Sequence, residues 1–284
     1  MLLADFIKDG VASLEALYPR GEAEASVLRL CEDRLGVKSY THIIEPSTEV
    51  PPTALEGLRN DMRRLAEGEP LQYVLGWTEF CGMRFSVGPG VLIPRPETEE
   101  MTRRICTWLH TLPYSARVLD LCTGSGCIAW SIFRQIPGTE VVGVDISDEA
   151  LAIARGQGEG DGLVFLKEDI LSDQTQLDGE FDLVVSNPPY VMEKEKASMR
   201  RNVLDYEPAL ALFVPDSDPL LFYRAVAGRA WHLLRDGGTG MVEINEALGD
   251  ETAAVFRDSG FREVRLVRDF LGKNRFVVFK KQGS

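Results

Sequence analysis

Apolar residues recur along this chain with two different periods. In residues 1–72 the spacing is helical: Leu3, Phe6, Ile7, Leu14 and Leu17 share a face until Pro19-Arg20-Gly21 breaks the run. A second helical segment covers about residues 22–35 and stops at Gly36. A third opens at Thr53-x-x-Glu56, which has capping-box form, and carries Leu55, Leu58, Met62 and Leu65 along one stripe. Residues 1–72 are therefore expected to form a small helical bundle, too small for much chemistry and suited to substrate recognition. Residues 73–96 alternate apolar and small residues around Gly76, Gly82, Gly88 and Gly90, which predicts a β-hairpin linker. Pro94-Arg95-Pro96-Glu97 ends it, and a helix is expected from Glu97 to about Leu112.

From Ala116 onwards, short apolar runs alternate with helical stretches. The runs are Arg117–Leu121, Val141–Asp145, Leu163–Leu166, Phe181–Ser186, Thr239–Ile244, Glu263–Val267 and Arg275–Phe279. Such alternation predicts an α/β fold over residues 97–284: a Rossmann-like, doubly wound, seven-stranded and mostly parallel sheet. The last two runs are too close together for a helical crossover, so an antiparallel C-terminal hairpin is expected.

Bulk chemistry narrows the classes. Of the 284 residues 44% are hydrophobic and 26% charged, which suits a packed core. No apolar run approaches a membrane span, and Met1-Leu2-Leu3-Ala4-Asp5 does not begin a signal peptide, so a cytoplasmic protein without membrane contact is expected. The five cysteines lack a Cys-x-x-Cys pair and the three histidines lie far apart, so no metal site is expected. A net charge of −13 argues against a nucleic-acid substrate gripped over a broad surface. No apolar heptad suggests self-association, so a monomer is expected.

Candidate chemistry gathers after the strands. The first run leads into Asp120-Leu121-Cys122-Thr123-Gly124-Ser125-Gly126. A glycine-rich turn at a strand's carboxyl end lets backbone approach a ligand and aims helix N-terminal amides at it. It is neither the Gly-x-Gly-x-x-Gly fingerprint nor a P-loop. A tight turn with no ligand is the plain alternative. Asp145 ends the second run, where a carboxylate can accept both hydroxyls of a ribose; it or Ser147 could equally cap the next helix. After the third run Asp169 and Ile170 stand where an adenine could dock, although Glu168-Asp169 could also be a solvated charge pair. These parts suit an adenosine-type cofactor and leave open whether it is a nicotinamide dinucleotide or S-adenosylmethionine.

Asn187-Pro188-Pro189-Tyr190 decides between them. Two prolines cannot continue an internal strand, and each holds its predecessor extended. The loop offers carbonyls without competing N–H donors. A planar NH2 group fits it, with one hydrogen to the Asn187 side-chain oxygen and the other to the Pro188 carbonyl. Tyr190 could wall the guest's flat face and lie near a sulfonium. A structural turn is the alternative here.

Asp120–Gly126, Asp145 and Asn187–Tyr190 together resemble class I S-adenosylmethionine-dependent methyltransferases that modify planar nitrogen. Gly68-Glu69-Pro70-Leu71-Gln72-Tyr73, Glu79-Phe80, Leu92-Ile93-Pro94-Arg95-Pro96-Glu97-Thr98-Glu99, Tyr206-Glu207-Pro208 and Asp236-Gly237-Gly238 extend the likeness over most of the chain. Within the class the chain resembles the peptide chain release factor N5-glutamine methyltransferase family (PrmC/HemK). That resemblance implies methyl transfer from S-adenosyl-L-methionine, leaving S-adenosyl-L-homocysteine, to the glutamine of the release factor Gly-Gly-Gln loop. It implies catalytic roles for Asn187, Pro188, Pro189 and Tyr190. It implies cofactor contacts from Asp120, Cys122, Thr123, Gly124, Ser125, Gly126, Asp145, Asp169, Ile170 and Asn187. Two residues depart from the pattern: Cys122 stands where glycine is usual, and Ile170 replaces an aromatic. Methylation of a glutamine in a large-subunit ribosomal protein is the nearest alternative. An adenine-N6 or guanine-N2 nucleic-acid methyltransferase would need base flipping and a basic channel. A cofactor-binding module without turnover would not need the Asn-Pro-Pro-Tyr loop.

Overall fold

The computed structural model describes residues 1–283. The chain divides into two compact units, Met1–Trp77 with Arg200–Tyr206, and Thr78–Met199 with the chain from Glu207 onwards.

The first unit is helical: α1 (Leu3–Leu14), α2 (Arg20–Leu35), α3 (Thr41–Ile44), α4 (Pro52–Ala66) and α5 (Leu71–Leu75). Its core joins Leu3, Phe6, Ile7 and Leu14 to Val27, Leu30, Leu58, Met62 and Leu65. Leu17, expected on the α1 face, lies beyond the helix and is exposed. The helical run breaks before Pro19 as expected: α1 ends at Leu14, and Pro19 is the residue before α2, where its fixed φ of −56° fits; Arg20 and Gly21 already belong to α2. The capping box expected at Thr53 does not form. α4 begins at Pro52, so Thr53 is already inside the helix and no side chain caps it. Arg34 Nε donates to Asp61 Oδ2 at 2.8 Å and ties α2 to α4.

The expected linker hairpin is shorter than residues 73–96. Tyr73 and Val74 belong to α5, which ends at Gly76, and the strands are β1 (Trp77–Phe80) and β2 (Met83–Ser86). Cys81 (φ 51°) and Gly82 (φ 74°) make the two-residue turn between them with both φ positive, as hairpin twist requires. Residues 87–95 run on without strand pairing to α6 (Pro96–Leu109), which stops three residues before the expected Leu112.

Next come β3 (Arg117–Leu121), α7 (Cys127–Gln135), β4 (Glu140–Asp145), α8 (Asp148–Arg155), β5 (Leu163–Lys167), β6 (Phe181–Ser186) and β7 (Val191–Met192). The chain then supplies α9 (Arg201–Tyr206) to the first unit and returns. It continues through α10 (Ala209–Leu212), β8 (Phe213–Val214), α11 (Leu221–Leu233), β9 (Leu234–Glu243), α12 (Gly249–Asp258), β10 (Arg262–Arg268) and β11 (Asn274–Lys280).

Seven strands form one sheet in the order β10-β11-β9-β6-β3-β4-β5. Only β11 runs against its neighbours, pairing antiparallel with β10 and β9. β9 starts at Leu234, ahead of the expected Thr239. Leu234 already pairs with Phe181, and the Asp236-Gly237-Gly238 stretch lies between that pair and Leu183–Thr239. Successive strand residues feed opposite cores, as the period of two demands. Val118, Val141, Leu183 and Val185 pack with α6, α7 and α8; Leu119, Val144, Val184 and Val242 pack with α11 and α12. Among the described residues no helix is long and apolar enough to cross a membrane.

Candidate active site

The chain builds outwards from β3 to β4 and β5, then returns to lay β6 on the other side of β3. This reversal leaves a crevice beyond the carboxyl ends of β3 and β6, the place where open α/β sheets bind ligands. Leu121 and Ser186 are register partners there, and Ser186 Oγ donates to the Leu121 carbonyl at 2.7 Å. A cavity of about 390 Å³ opens at this point, within the range of small-molecule sites.

The glycine-rich turn forms one wall. Cys122 has φ 61°, left-handed backbone that costs a non-glycine residue ~1 kcal/mol or more, so the glycine usual in this motif has a steric reason. The turn keeps its shape despite the cysteine. Thr123 N–H donates to the Val144 carbonyl at 2.9 Å and its hydroxyl to Asp120 Oδ2 at 2.6 Å. A Cβ on Gly124 (φ 55°) would meet no protein atom within 4 Å, so this cradle is open to a ligand. A Cβ on Gly126 (φ 76°) would stand 3.1 Å from Ala154, Phe165 and Trp130, so here glycine serves packing. Asp120 is fully buried beneath the turn and is not part of the cavity wall. Burial pushes its carboxyl up to about 7, against the Thr123 hydroxyl and the Ala129 N–H.

Asp145 ends β4 at the cavity. Its Oδ2 accepts from Gly124 N–H at 2.8 Å and its Oδ1 from Ser147 N–H at 3.0 Å. Burial raises its pKa, and these backbone donors oppose the rise. Each oxygen keeps a second lone pair for a hydroxyl donor. Ser147, not Asp145, caps α8, accepting from Ala150 N–H at 3.2 Å. Beyond β5, Glu168 is no solvated charge. It is buried, accepts from Thr175 Oγ1 at 2.6 Å and from Gln176 N–H at 3.1 Å, and pairs with Arg229 at 3.4 Å. Asp169 and the buried Ile170 line the cavity beside the exposed Ile146 and Leu171. Carboxylates for hydroxyls, apolar faces for a base and an open glycine cradle fit a nucleoside cofactor.

On the other side of the crevice stands the loop after β6. Asn187 and Pro189 line the cavity; Pro188 and Tyr190 do not. Asn187 Nδ2 donates to Thr98 Oγ1 at 3.0 Å, and Thr98 Oγ1 donates to Glu243 Oε2 at 2.7 Å. Tyr190 turns its ring towards the β9 side of the core and donates its hydroxyl to Glu243 Oε1 at 2.8 Å. Burial and the neighbouring Glu243 charge hold the Tyr190 phenol well above its ordinary pKa.

Several wall residues carry no site signal of their own in the sequence. Val91, Leu92 and Pro94 form part of the wall from the loop before α6, and Ala209, Leu210 and Phe222 another part. Glu207 joins these regions: its carboxylate accepts from Ile93 N–H at 3.0 Å and Arg95 at 2.6 Å. The signal was visible in Ile-Pro-Arg-Pro-Glu and Tyr-Glu-Pro, but they lie 112 positions apart, and only the fold pairs them.

Two family models match the chain: a methyltransferase small domain over residues 99–205 and a PrmC N-terminal domain over residues 5–76. The release factor glutamine methyltransferase of Bacteroides thetaiotaomicron is 43% identical over 94% of this chain and 95% of that one. The Flavobacterium psychrophilum protein of the same name is 37% identical over 98% of both. Among solved structures, a T. thermophilus 16S rRNA N2 methyltransferase in complex with AdoMet and guanosine has a TM-score of 0.50 at 18% identity, covering 72% of this chain and 50% of that one; the likeness is one of fold. From its identity to full-length relatives, the chain belongs to the release factor glutamine methyltransferase family.

Proposed function

We propose that this enzyme methylates the side-chain amide nitrogen (N5) of the Gly-Gly-Gln glutamine in peptide chain release factors, with S-adenosyl-L-methionine as donor. The observation that carries the reading is Asn187, fixed at the crevice facing the glycine cradle across one cavity. Asp145 would hold the ribose hydroxyls, Ile146, Ile170 and Leu171 would enclose the base, and Asp169 would stand at its edge. When bound, the cofactor supplies an electrophilic methyl carbon on a sulfonium.

An amide nitrogen is a poor nucleophile because its lone pair is delocalised into the carbonyl. Asn187 would accept one amide hydrogen, which helps align the nitrogen and stabilises the positive charge developing on it, while Pro188, set back from the cavity wall, holds Asn187 extended. No strong base is required: the proton becomes acidic as the C–N bond forms and can leave to water. Pro189 shapes the cavity wall, and Tyr190 acts from below through Glu243 rather than as a wall for the guest. A net charge of −13 supports a protein substrate over a nucleic acid.

Labelled S-adenosyl-L-methionine with a release factor, a large-subunit ribosomal protein or RNA separates the candidates. Label in the Gly-Gly-Gln peptide of the release factor is expected. Label transferred only to ribosomal protein or RNA would overturn the assignment.

A further inference from the structure

We infer, resting on the function proposed above, that Thr98 and Glu243 are positioning residues that set the polarity of the Asn187 side chain and thereby commit the site to an NH2 donor. Glu243 is 1% exposed, and both its oxygens accept hydroxyl hydrogens, from Thr98 at 2.7 Å and from Tyr190 at 2.8 Å. A carboxylate has no hydrogen to give, so each hydroxyl must spend its single hydrogen on Glu243. Burial raises the Glu243 pKa, and the hydrogen bonds from Thr98 and Tyr190 with the charge of Arg275 oppose that rise on the side of the carboxylate.

Thr98 can then offer Asn187 only a lone pair. The 3.0 Å contact between them must be a donation from Asn187 Nδ2. The amide carries its oxygen on the opposite branch, so fixing the NH2 on Thr98 leaves Oδ1 for the cavity that Asn187 lines. Among the described residues no protein group donates to Oδ1. With the amide turned over, an NH2 would face the guest's NH2 and two donors would meet. The relay spans residues 89 and 145 positions apart, so its logic is closed only by the fold. It runs from a buried carboxylate on β9, through the first turn of α6, to the loop after β6.

Thr98→Val keeps the shape and removes the hydroxyl; Thr98→Ser keeps the hydroxyl; Glu243→Gln keeps the shape and can supply hydrogens of its own. Thr98→Val and Glu243→Gln are expected to lower kcat ~10²-fold, the scale of losing one oriented electrostatic contact. Thr98→Ser should stay within about threefold of the parent, and cofactor affinity within about twofold in all three. The double variant Thr98→Val/Glu243→Gln should be no slower than the worse single, because both break one relay. A readout without turnover is the NMR signal of the Asn187 side-chain NH2 in asparagine-labelled protein, assigned by its loss in Asn187→Ala. That signal should move in Glu243→Gln and stay in place in Thr98→Ser. Parent-like turnover in Thr98→Val, Thr98→Ser as slow as Thr98→Val, or an unmoved signal in Glu243→Gln overturns the relay. If the parent itself transfers no methyl group to a release factor, the proposed function fails, and the NMR comparison still judges the relay.

Discussion

The Arg95–Glu207 pair should couple stability to cofactor binding, and Arg95→Ala measures both. Glu207's side chain is 1% exposed, and removing the guanidinium 2.6 Å away leaves it one donor, Ile93 N–H at 3.0 Å. Removing one partner of a fully buried pair costs ~3–5 kcal/mol. Arg95 is 32% exposed, so water compensates part of the loss and ~2–3 kcal/mol is the better figure. For a unit of this size that lowers Tm by ~4–12 °C. The same pair fixes the loop carrying Val91, Leu92 and Pro94 into the cavity wall. If binding must restore that order, the cofactor Kd rises by at most ~30–150-fold. Glu207→Gln keeps one acceptor oxygen but sets its NH2 against the other donor, so it should lose stability too, whereas Arg95→Met/Glu207→Leu should recover much of the Tm. Calorimetric titration with S-adenosyl-L-homocysteine and thermal unfolding give the two quantities. A drop in Tm with cofactor Kd unchanged within about twofold would show that the brace does not shape the site.

Four further outcomes are expected. Asn187→Ala should lower kcat by ~10²–10³ with a smaller change in cofactor affinity; parent-like turnover excludes its role. Asp145→Ala should raise cofactor Kd ~10–100-fold in titration calorimetry, through lost charged hydrogen bonds. Gly126→Ala should cost ~2 kcal/mol or more in urea unfolding, because its φ of 76° and the 3.1 Å approach to Ala154, Phe165 and Trp130 both oppose a Cβ. Asp120 has its pKa raised from 3.8 to about 7, so the folded state holds its proton more tightly than the unfolded one. Its contribution is complete below about 4 and is lost as pH rises towards 7, by ~4 kcal/mol at most; Asp120→Asn should flatten unfolding free energy between pH 5 and 8, and an unchanged slope refutes the assignment.

Much of the fold was legible because the period of apolar residues changes where the architecture does. The seven runs from Arg117 to Phe279 match the seven sheet strands, with only their ends displaced. The misplacements share a cause: local signals lost to backbone constraints. Pro52 starts α4 before Thr53 can cap it, and α5 takes Tyr73 and Val74 from the expected hairpin. At the site, the single-loop residues Gly124, Asp145, Ile170 and Asn187 could be read from their places after strands. Glu243 could not be read, because an acidic residue at the end of an apolar run carries no sign of what it will meet. Nor could Tyr190's turn away from the cavity be read, since Glu243 dictates it from 53 positions away.

The legible and hidden residues do different work, and the division follows from how a parallel sheet is built. Strand ends deliver groups to one edge, so a residue that touches a ligand announces itself by following an apolar run. The direction in which that group points is set by its neighbours across the sheet, and those neighbours come from anywhere in the chain. Asn187 shows both halves. Its place follows from β6 and the prolines after it, whereas its polarity follows from Thr98 on α6 and Glu243 on β9. A substitution at Asn187 therefore tests what touches the amide, and one at Thr98 or Glu243 tests what aims it. A nearby turn that keeps Asn-Pro-Pro-Tyr but loses the buried carboxylate would keep the loop's shape and lose control of which end of the amide faces the guest.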